Sequence, residues 1–360
     1  MRPTDSRWHS RPGAARLWCL LLFAALLLVM TLAITWGPVD MPAGTVWRIA
    51  WSRLLQALGM QPPLEGITPQ HQQIVWLIRM PRVLLAALVG AGLAVVGTIM
   101  QAMVRNPLAD PYLLGVSSGA SVGAVAVLAF GALASAGMYA LTAGAFAGAL
   151  AATVAVYLLA RSQGRIHATR LILGGVAIGY VLAGVTSLIT LSSGQRDLAN
   201  ALLTWTLGSL AGTQWEELGI PAAVLAAGML WLGLQTRPLN ALLAGDEAAT
   251  TLGVDTARLR RALFLAVSLL TGTMVAVSGA IGFVGLIVPH AARMLVGTDH
   301  RRVLPVAALA GALLLVLVDL VARTAFAPME LPVGVITSLI GGPFFVWMLV
   351  RQPVQGGRGP

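Results

Sequence analysis

The chain has 360 residues, of which 58% are hydrophobic and only 10% are charged. A soluble domain carries roughly 25% charged residues, so this composition excludes a soluble protein and predicts a polytopic membrane protein. The net charge of +10 comes from arginine alone, because the sequence contains no lysine. The arginines lie in short segments between apolar stretches, which membrane orientation explains better than binding to nucleic acid does.

Composition also excludes two classes of site. A P-loop ATPase needs a lysine to reach the nucleotide phosphates, so this chain does not hold such a site. Its one cysteine, Cys19, excludes an internal disulfide and a cysteine-based metal cluster. The five histidines never fall at ligand spacing on one face, so no metal site is predicted.

A helical membrane span requires roughly 20 apolar residues, and by this criterion the chain contains ten predicted spans. The first is too long for a typical cleaved signal and is interpreted as a retained span. With a cytoplasmic N-terminus, 17 arginines fall on or beside the cytoplasmic side and six on the other, in keeping with the positive-inside rule. The predicted spans cover approximately 17–36, 82–104, 113–131, 137–160, 170–192, 215–235, 260–281, 283–296, 303–323 and 333–350.

The predicted organisation is therefore a single membrane domain over 17–350 with a cytoplasmic tail at each end. The tails cover 1–16 and 351–360, and 236–259 forms a longer cytoplasmic segment between spans. A faint repeat lays Ala94–Pro107 over Ala276–Pro289. An offset of five spans would make it an inverted repeat, common in transport proteins. Chance similarity between two glycine-rich and alanine-rich helices is the alternative.

Small residues recur every fourth position on the fourth and fifth spans. Such spacing predicts close helix packing, because it lets two backbones approach each other within the membrane. A pathway lined by small residues is the alternative. The two rows are Gly144–Gly148–Ala152 and Gly175–Gly179–Ala183.

The longest helix-compatible polar stretch between spans in the C-terminal two thirds of the chain is Thr236–Arg261. Two short apolar stripes within it are each followed by a glycine, Gly245 and Gly253, as happens where a helix stops and turns. Asp246 and Glu247 fall in the first turn of the second piece, where negative charge suits the helix dipole. The pattern predicts two short helices joined by a bend at the membrane surface, although an ordinary surface loop fits the composition equally well.

Charge in or beside a membrane span is costly, so four charged residues there are functional candidates. Asp319 and Arg323 are four residues apart on the ninth span, so they can pair along one helix. Arg79 and Arg82 lie on the outer side, against the positive-inside trend, where the second span begins. The residues alone leave two interpretations open. The arginines reach lipid phosphate, or they receive acidic groups from a soluble partner.

Gly115–Gly119 has the G-x-S-x-G spacing of a hydrolase nucleophile elbow around Ser117. That motif requires a preceding strand and a histidine base. Here it opens a glycine-rich membrane helix without a histidine in the same or adjacent spans, so a hydrolase is disfavoured. A secondary transporter is a further possibility, and Asp319 is its one clear acidic candidate for ion coupling.

Three long motifs resemble the permease subunits of the FecCD family, the membrane halves of binding-protein-dependent ABC importers for ferric siderophores, haem and cobalamin. The resemblance runs from about Gln73 to Arg351 and is specific for the family but not for the substrate. It implies an all-α type II importer permease fold with ten membrane helices. The motifs are RMPRVLLAALVGAGLAVVGTIMQAMVRNPLADPYLLGVSSGAS, SGAIGFVGLIVPHAARMLVGTDHR and ELPVGVITSLIGGPFF.

The resemblance also implies partners. A second permease copy would complete a homodimer, two ATP-binding subunits would attach on the cytoplasmic side, and a periplasmic or lipid-anchored binding protein would dock on the opposite face. No cofactor is expected in this chain, because the partner ATPase would bind ATP and Mg²⁺, and no nucleic acid is expected. The implied location is the bacterial inner membrane.

The family's functional positions can be transferred to this sequence motif by motif. Arg79 and Arg82 match its binding-protein docking arginines, and Arg323 is the plausible third. Gly175, Gly179 and Tyr180 lie on the span that lines the translocation path in relatives. The residues matching the ATPase-coupling helices are Leu242, Leu243, Ala244, Gly245, Asp246, Glu247, Ala248, Thr251, Leu252 and Gly253.

The resemblance thus implies a transport subunit without its own ATPase site. The expected cargo is an iron chelate, either a siderophore complex or haem, and cobalamin is the alternative. A secondary transporter fits less well, because the polar stretch and the outer arginines both imply soluble partners.

Overall fold

The computed structural model describes residues 12–37, 39, 41–60, 66–162, 165–166 and 168–351. These residues are almost entirely helical, which confirms the predicted all-α class. One pair of two-residue antiparallel strands, β1 Arg161–Ser162 and β2 Arg165–Ile166, joins two of the helices. The helices are α1 Pro12–Thr35, α2 Ala43–Ala57, α3 Pro69–Gln73, α4 Met80–Val104, α5 Val116–Phe130, α6 Ala140–Ala160, α7 Ala168–Ser193, α8 Arg196–Thr206, α9 Gly219–Leu234, α10 Thr236–Leu243, α11 Asp246–Thr251, α12 Thr256–Ser278, α13 Val284–Val296, α14 His300–Thr324 and α15 Val333–Arg351.

Ten apolar helices correspond to the ten predicted spans. Within the described part of the chain, seven helical stretches are long and apolar enough to cross a membrane, and three shorter apolar helices, α5, α13 and α15, complete the set. The predicted multi-pass architecture is thereby confirmed, whereas the orientation stays a prediction. We call the end of a helix that this orientation assigns to the cytoplasm its inner end, and the opposite end its outer end.

Two predicted boundaries need correction. The first helix begins at Pro12, so it includes residues that were assigned to the N-terminal tail. The second span is preceded by unbroken helical structure from Pro69, with a π-helical stretch over Ile74–Arg79. The early start has a local cause, because Thr68 caps the helix and proline suits its first position. Residues 1–11 and 352–360, the remainder of the predicted tails, lie outside the described part of the chain.

The proposed overlay of Ala94–Pro107 on Ala276–Pro289 is wrong at the residue level. The first segment is continuous helix as far as Val104. The second is broken after Ser278, because Gly279 and Phe283 both adopt positive φ angles that end a right-handed helix. The overlay therefore places helix on a helix break.

The α4 helix is the most buried of the spans and lies at the centre of the molecule. It packs against α14 through Gly90 and Gly311, where a Cβ on either residue would overlap the backbone of the other. It packs against α13 in the same way at Gly97, which faces the carbonyl of Gly285. Glycine is required at these positions because the helices are separated by little more than their backbones.

The predicted glycine rows also serve helix packing. Gly144 and Gly148 of α6 lie directly against α5, and Gly148 meets the backbone of Gly119. On α7, Gly175 faces the carbonyl of Leu113 in the turn before α5. The packing interpretation is therefore confirmed for the first row and, within the second row, for Gly175.

The α2 helix lies outside the bundle of spans and is amphipathic. It buries Val46 and Ile49 against the core and leaves Trp47 and Trp51 exposed. Exposed tryptophans four residues apart on one short helix are typical of a helix that rests at a membrane interface.

Candidate coupling site and candidate docking site

The predicted polar stretch folds as two short helices with a bend. The α10 helix ends at Leu243 and α11 begins at Asp246, and Gly245 between them has a φ angle of +109°. That angle is open to glycine and strained for other residues, which explains why the sequence places glycine there. We call Thr236–Gly253 the coupling segment.

Seven of the ten predicted coupling residues are exposed, and Leu242 is the one that is buried. Leu242 is fully buried in the core under α10, so it holds the segment in place and does not present a side chain to a partner. Gly245 and Ala248 are half-buried. The exposed members are Leu243, Ala244, Asp246, Glu247, Thr251, Leu252 and Gly253.

One contact joins the coupling segment to the inner end of α14. The side-chain amide of Asn240 donates to Asp299 Oδ1 at 2.7 Å and accepts from the His300 backbone N–H at 2.9 Å. Asp299 is the N-cap of α14. Burial tends to raise the pKa of Asp299, but hydrogen bonds from Asn240 and from the Arg301 backbone, together with the nearby arginine charges, leave it below its ordinary value. Asp299 therefore stays ionised at neutral pH.

A second contact joins the coupling segment to the inner end of α4. Arg260 of α12 donates to Asp246 Oδ1 at 2.8 Å and to the backbone carbonyl of Met103 at 2.6 Å. Arg105, just after α4, lies 3.9 Å from the same carboxylate. Asp246 is thus a structural link between α11 and α4. In contrast, the exposed Glu247 carboxylate makes no ion pair within the described residues.

The three predicted docking arginines lie together near the outer ends of α4 and α14, but all three are buried. Only 4% of Arg79, 6% of Arg82 and 5% of Arg323 is exposed. Arg79 donates to the carbonyls of Ile34, at 2.7 Å, and Val39, at 2.6 Å. These bonds hold the segment after α1 against α4.

Two carboxylates complete this group. Arg82 donates from Nε to Asp319 at 2.9 Å and from Nη1 to Glu330 at 2.7 Å. Arg323 pairs with the other oxygen of Asp319 at 3.2 Å, which is the pairing predicted along α14. The Asp319 side chain is only 1% exposed, whereas that of Glu330 is 46% exposed. We call these four side chains, together with Arg79, the arginine network.

The network explains why arginines occur on the outer side. Their guanidinium groups find carboxylates and backbone carbonyls inside the protein, so the structure does not place them against lipid phosphate. Their role in docking a partner stays a prediction. Glu330 is the member of the network through which a partner could gain access, because it alone is substantially exposed.

The predicted path residues fall into two groups. Gly175 is buried against Leu113, so it contributes to helix packing and does not line an open pathway. Tyr180 is 78% exposed, and Gly179 lies beside the hydroxyl of Ser118. The assignment of these two residues to the path stays a prediction.

Sequence reasoning missed the residues that link the coupling segment to the spans. Asn240, Arg260 and Asp299 are separated along the chain from the groups they contact, and nothing in their local sequence marks the pairing. Only the N-cap role of Asp299 had a local signal, an acidic residue directly before an apolar helical run. Glu330 lay within a quoted motif, but its partner Arg82 is 248 residues away.

Comparison with known proteins decides the family. The family model described as the FecCD transport family matches residues 25–351, which is most of the chain. This chain belongs to the FecCD transport family. Among its relatives, the hemin transport system permease protein HmuU of Yersinia pestis is 46% identical over 284 residues, covering 78% of this chain and 84% of HmuU.

Two further comparisons of this FecCD member agree with this assignment, one in sequence and one in fold. The cobalamin import system permease protein BtuC of Halobacterium salinarum is 47% identical over 295 residues, covering 81% of this chain and 78% of BtuC. A solved structure of a metal-chelate type ABC transporter, in an inward-facing conformation, has a TM-score of 0.78 and 30% identity. It covers 92% of this chain and 98% of the solved chain.

Proposed function

We propose that this chain is the membrane permease subunit of an ABC importer for a metal chelate, driven by ATP hydrolysis in a separate subunit. The observation that carries the proposal is the position of the two candidate sites. The coupling segment contacts the inner ends of α4 and α14, and the arginine network joins the outer ends of the same two helices. With this arrangement, the chain has an inner surface for an ATPase subunit and an outer surface for a binding protein.

The coupling segment provides the inner surface. Its exposed residues, among them Leu243, Glu247 and Leu252, combine apolar and acidic groups on two short helices that project from the bundle. An ATPase subunit that grips this surface moves α10 and α11 when it binds nucleotide. The contacts of Asn240 and Arg260 then pass that movement to α14 and α4. ATP and Mg²⁺ are bound by the partner, and this chain supplies no cofactor.

The arginine network provides the outer surface. Asp319 lies between Arg82 and Arg323, and Arg82 also binds the exposed carboxylate of Glu330. An acidic side chain of a binding protein reaches Arg82 by displacing Glu330. Charge-assisted bonds from arginine to carboxylate are strong and directional, which suits a specific docking contact.

The cargo proposed first is an iron chelate, a siderophore complex or haem. The name of HmuU supports haem, and the name of BtuC supports cobalamin as the alternative. The secondary transporter receives no support, because its candidate Asp319 is neutralised by two arginines. A coupling acid has to exchange ions, and a buried doubly paired carboxylate is poorly suited to do so.

The proposed assembly contains two copies of this chain, two ATP-binding subunits and one binding protein. It lies in the bacterial cytoplasmic membrane with both termini inside. This orientation puts the coupling segment in the cytoplasm and the arginine network on the side from which cargo arrives.

A ligand-dependent ATPase assay tests the proposal. The chain is purified with its ATPase partner, reconstituted in lipid and supplied with binding protein loaded with ferric siderophore, haem or cobalamin. We expect one ligand to stimulate both ATP hydrolysis and uptake. A complex that retains no ATPase and shows no dependence on nucleotide would refute the importer assignment.

Charge reversal at Arg79 and Arg82 tests the outer surface separately. In a variant that keeps the unfolding temperature of the wild type, the double change to Glu should abolish docking of the binding protein, because carboxylates would then face carboxylates. Undiminished docking removes both arginines from the docking site. The matched control is reversal of Arg53, another arginine on the outer side that lies outside the network.

A further inference from the structure

A basic pocket lies at the inner ends of α9 and α14, where the coupling segment begins. Its volume is about 490 Å³. Two of its nine lining residues are arginines, Arg237 of α10 and Arg301 of α14, and none of the nine is acidic. It is distinct from the arginine network, which lies near the outer ends of the spans. We call it the inner basic pocket.

The two guanidinium groups of this pocket have no anionic partner within the described residues. Arg237 and Arg301 are both exposed, and neither belongs to any ion pair in the described part of the chain. Asp299 lies beside the pocket, but its Oδ1 atom accepts from the side-chain amide of Asn240 and from the backbone N–H of Arg301. Two like charges at one pocket repel each other, and an anion between them relieves that repulsion.

The residues around the pocket follow the order of charge and apolar surface in a phospholipid. On α9, Leu230 and Leu234 lie one turn apart on the same face, and they are 75% and 78% exposed. Arg237 follows them toward the inner side. On α14, Arg301 comes first and Leu304, which also lines the pocket, lies about one turn deeper in the membrane. Both walls therefore place a cation at the level of a headgroup and apolar side chains below it.

We propose that the inner basic pocket binds the phosphate of an anionic phospholipid of the inner leaflet, with an acyl chain along Leu230 and Leu234. Guanidinium groups bind phosphate through paired, charge-assisted hydrogen bonds. Basic pockets between membrane helices on the cytoplasmic side suit anionic headgroups for this reason. A carboxylate of a soluble partner would meet the arginines but would leave both leucines uncovered, so a lipid fits the whole surface better.

A phosphate in this pocket would lie at the junction between the coupling segment and α14. Arg237 belongs to the coupling segment, and Arg301 belongs to the first turn of α14. The same two elements are joined by the bond of 2.7 Å from Asn240 to Asp299. A phosphate held by both arginines adds a second link across this junction and should improve coupling. This consequence rests on the proposed function, whereas the binding itself does not.

Native mass spectrometry of the full chain, purified in detergent without its partners, tests the binding directly. The probes are phosphatidylglycerol, phosphatidylcholine and soluble glycerol 3-phosphate. The test variant, Arg237→Gln with Arg301→Gln, removes both charges. The control variant, Arg258→Gln with Arg261→Gln, removes two other exposed arginines at the inner end, on α12 and outside the pocket. A third variant replaces Arg237 and Arg301 by Lys and keeps the charge.

We expect each wild-type chain to bind one phosphatidylglycerol more tightly than phosphatidylcholine. The test variant should bind it about thirtyfold more weakly, the combined effect of two arginines near a membrane surface. The control variant should match the wild type, and the lysine variant should keep most of the affinity. If the test variant does not fold, Arg301→Gln alone replaces it, with a loss of about fivefold expected.

The consequence for coupling is measured on the complete importer in proteoliposomes. Adding phosphatidylglycerol to phosphatidylcholine should raise uptake per ATP hydrolysed by the wild type and by the control variant, but not by the test variant. An equal rise in all three would reject the second link across the junction.

Several results would overturn the lipid site. Undiminished binding of phosphatidylglycerol by the test variant rejects the pocket, and an equal loss in the control variant shows diffuse attraction without a site. Glycerol 3-phosphate that binds as tightly as the lipid rejects the lipid as the source of the phosphate. Loss of the ATPase subunit from the test variant, with lipid binding unchanged, assigns the pocket to that subunit. Failure of ATP-dependent uptake refutes the proposed function and leaves the lipid site intact.

Discussion

The buried carboxylate of Asp319 gives the sharpest prediction about stability. It lies between Arg82, at 2.9 Å, and Arg323, at 3.2 Å, and its side chain is 1% exposed. Asp319→Asn keeps the volume and removes the charge, so the two guanidinium groups face each other without the anion between them. Removing one partner of a buried ion pair costs about 3–5 kcal/mol, because the remaining charge is left without compensation. We expect a loss of that size.

Thermal unfolding of the purified chain, followed by its tryptophan fluorescence, measures this loss. The control is Glu330→Gln, because Glu330 also pairs with Arg82 but has a side chain that is 46% exposed. An exposed ion pair contributes at most about 1 kcal/mol, so this variant should unfold close to the wild type. Asp319→Asn should unfold at least several degrees lower.

A double substitution separates the charge from the packing. Asp319→Leu combined with Arg323→Leu removes a complete buried pair and leaves Arg82 bound to Glu330. Well-packed apolar residues can replace a buried pair at little cost, so this variant should recover most of the stability lost by Asp319→Asn. Equal unfolding temperatures for Asp319→Asn and Glu330→Gln would mean that water reaches the network and that the reasoning from burial is incorrect.

Three further predictions concern docking, coupling and pH. Glu330→Gln should tighten binding of the binding protein to nanodisc-embedded importer about fivefold, because Arg82 loses its internal competitor. Asp246→Asn should lower transport per ATP hydrolysed, because α11 loses its ion pair with Arg260. Burial raises the pKa of Asp110 from 3.8 to about 6. The folded state therefore holds a proton more tightly than the unfolded chain and loses up to about 3 kcal/mol of stability as pH rises through this window. Asp110→Asn should unfold at a higher temperature than the wild type at pH 7.5 and show no such gain at pH 4.

The docking and coupling predictions each have a control variant. Glu217→Gln removes another acid near the outer end, outside the network, and should not alter docking. Asp197→Asn removes an exposed carboxylate on α8 and should leave transport per ATP unchanged. Weaker docking by Glu330→Gln would show that Glu330 assists the partner directly. Unchanged coupling in Asp246→Asn would leave the Asn240 contact as the sole transmitting link, and an unfolding difference for Asp110→Asn that is independent of pH would contradict the titration argument.

Local sequence signals predicted the elements of this fold well. Ten apolar stretches corresponded to ten apolar helices, and the bend between α10 and α11 followed from Gly245. The break at Gly279–Phe283 lies where one predicted span ends at 281 and the next begins at 283, so its position was predicted to within a few residues. The start of the second span was placed too late, because apolar periodicity does not reveal the capping signal at Thr68.

The sites were harder to predict because their chemistry depends on residues far apart in the chain. Sequence spacing revealed the pair of Asp319 with Arg323, which lie on one helix. It could not reveal that Arg82 also binds Asp319, 237 residues away, nor that all three arginines are buried. The resemblance to a family identified the positions, but burial and partners decide whether a position is an exposed contact or an internal support, as the contrast between Leu243 and Leu242 shows.

Close packing of α4 and α14 explains how two distant sites could act together. Between the inner and outer contacts, the backbones meet at Gly90 and Gly311 with no side chain between them. Flexible side chains at that crossing would absorb a small displacement, whereas a backbone contact transmits it, since packed interiors are nearly incompressible. We therefore expect a shift imposed on Asn240 or Arg260 at the inner ends to reach the outer ends, where the arginine network lies. In the reverse direction, a partner whose carboxylates replace those of the arginine network would shift the outer ends of α4 and α14, and the same helix contact would carry that shift to the inner ends.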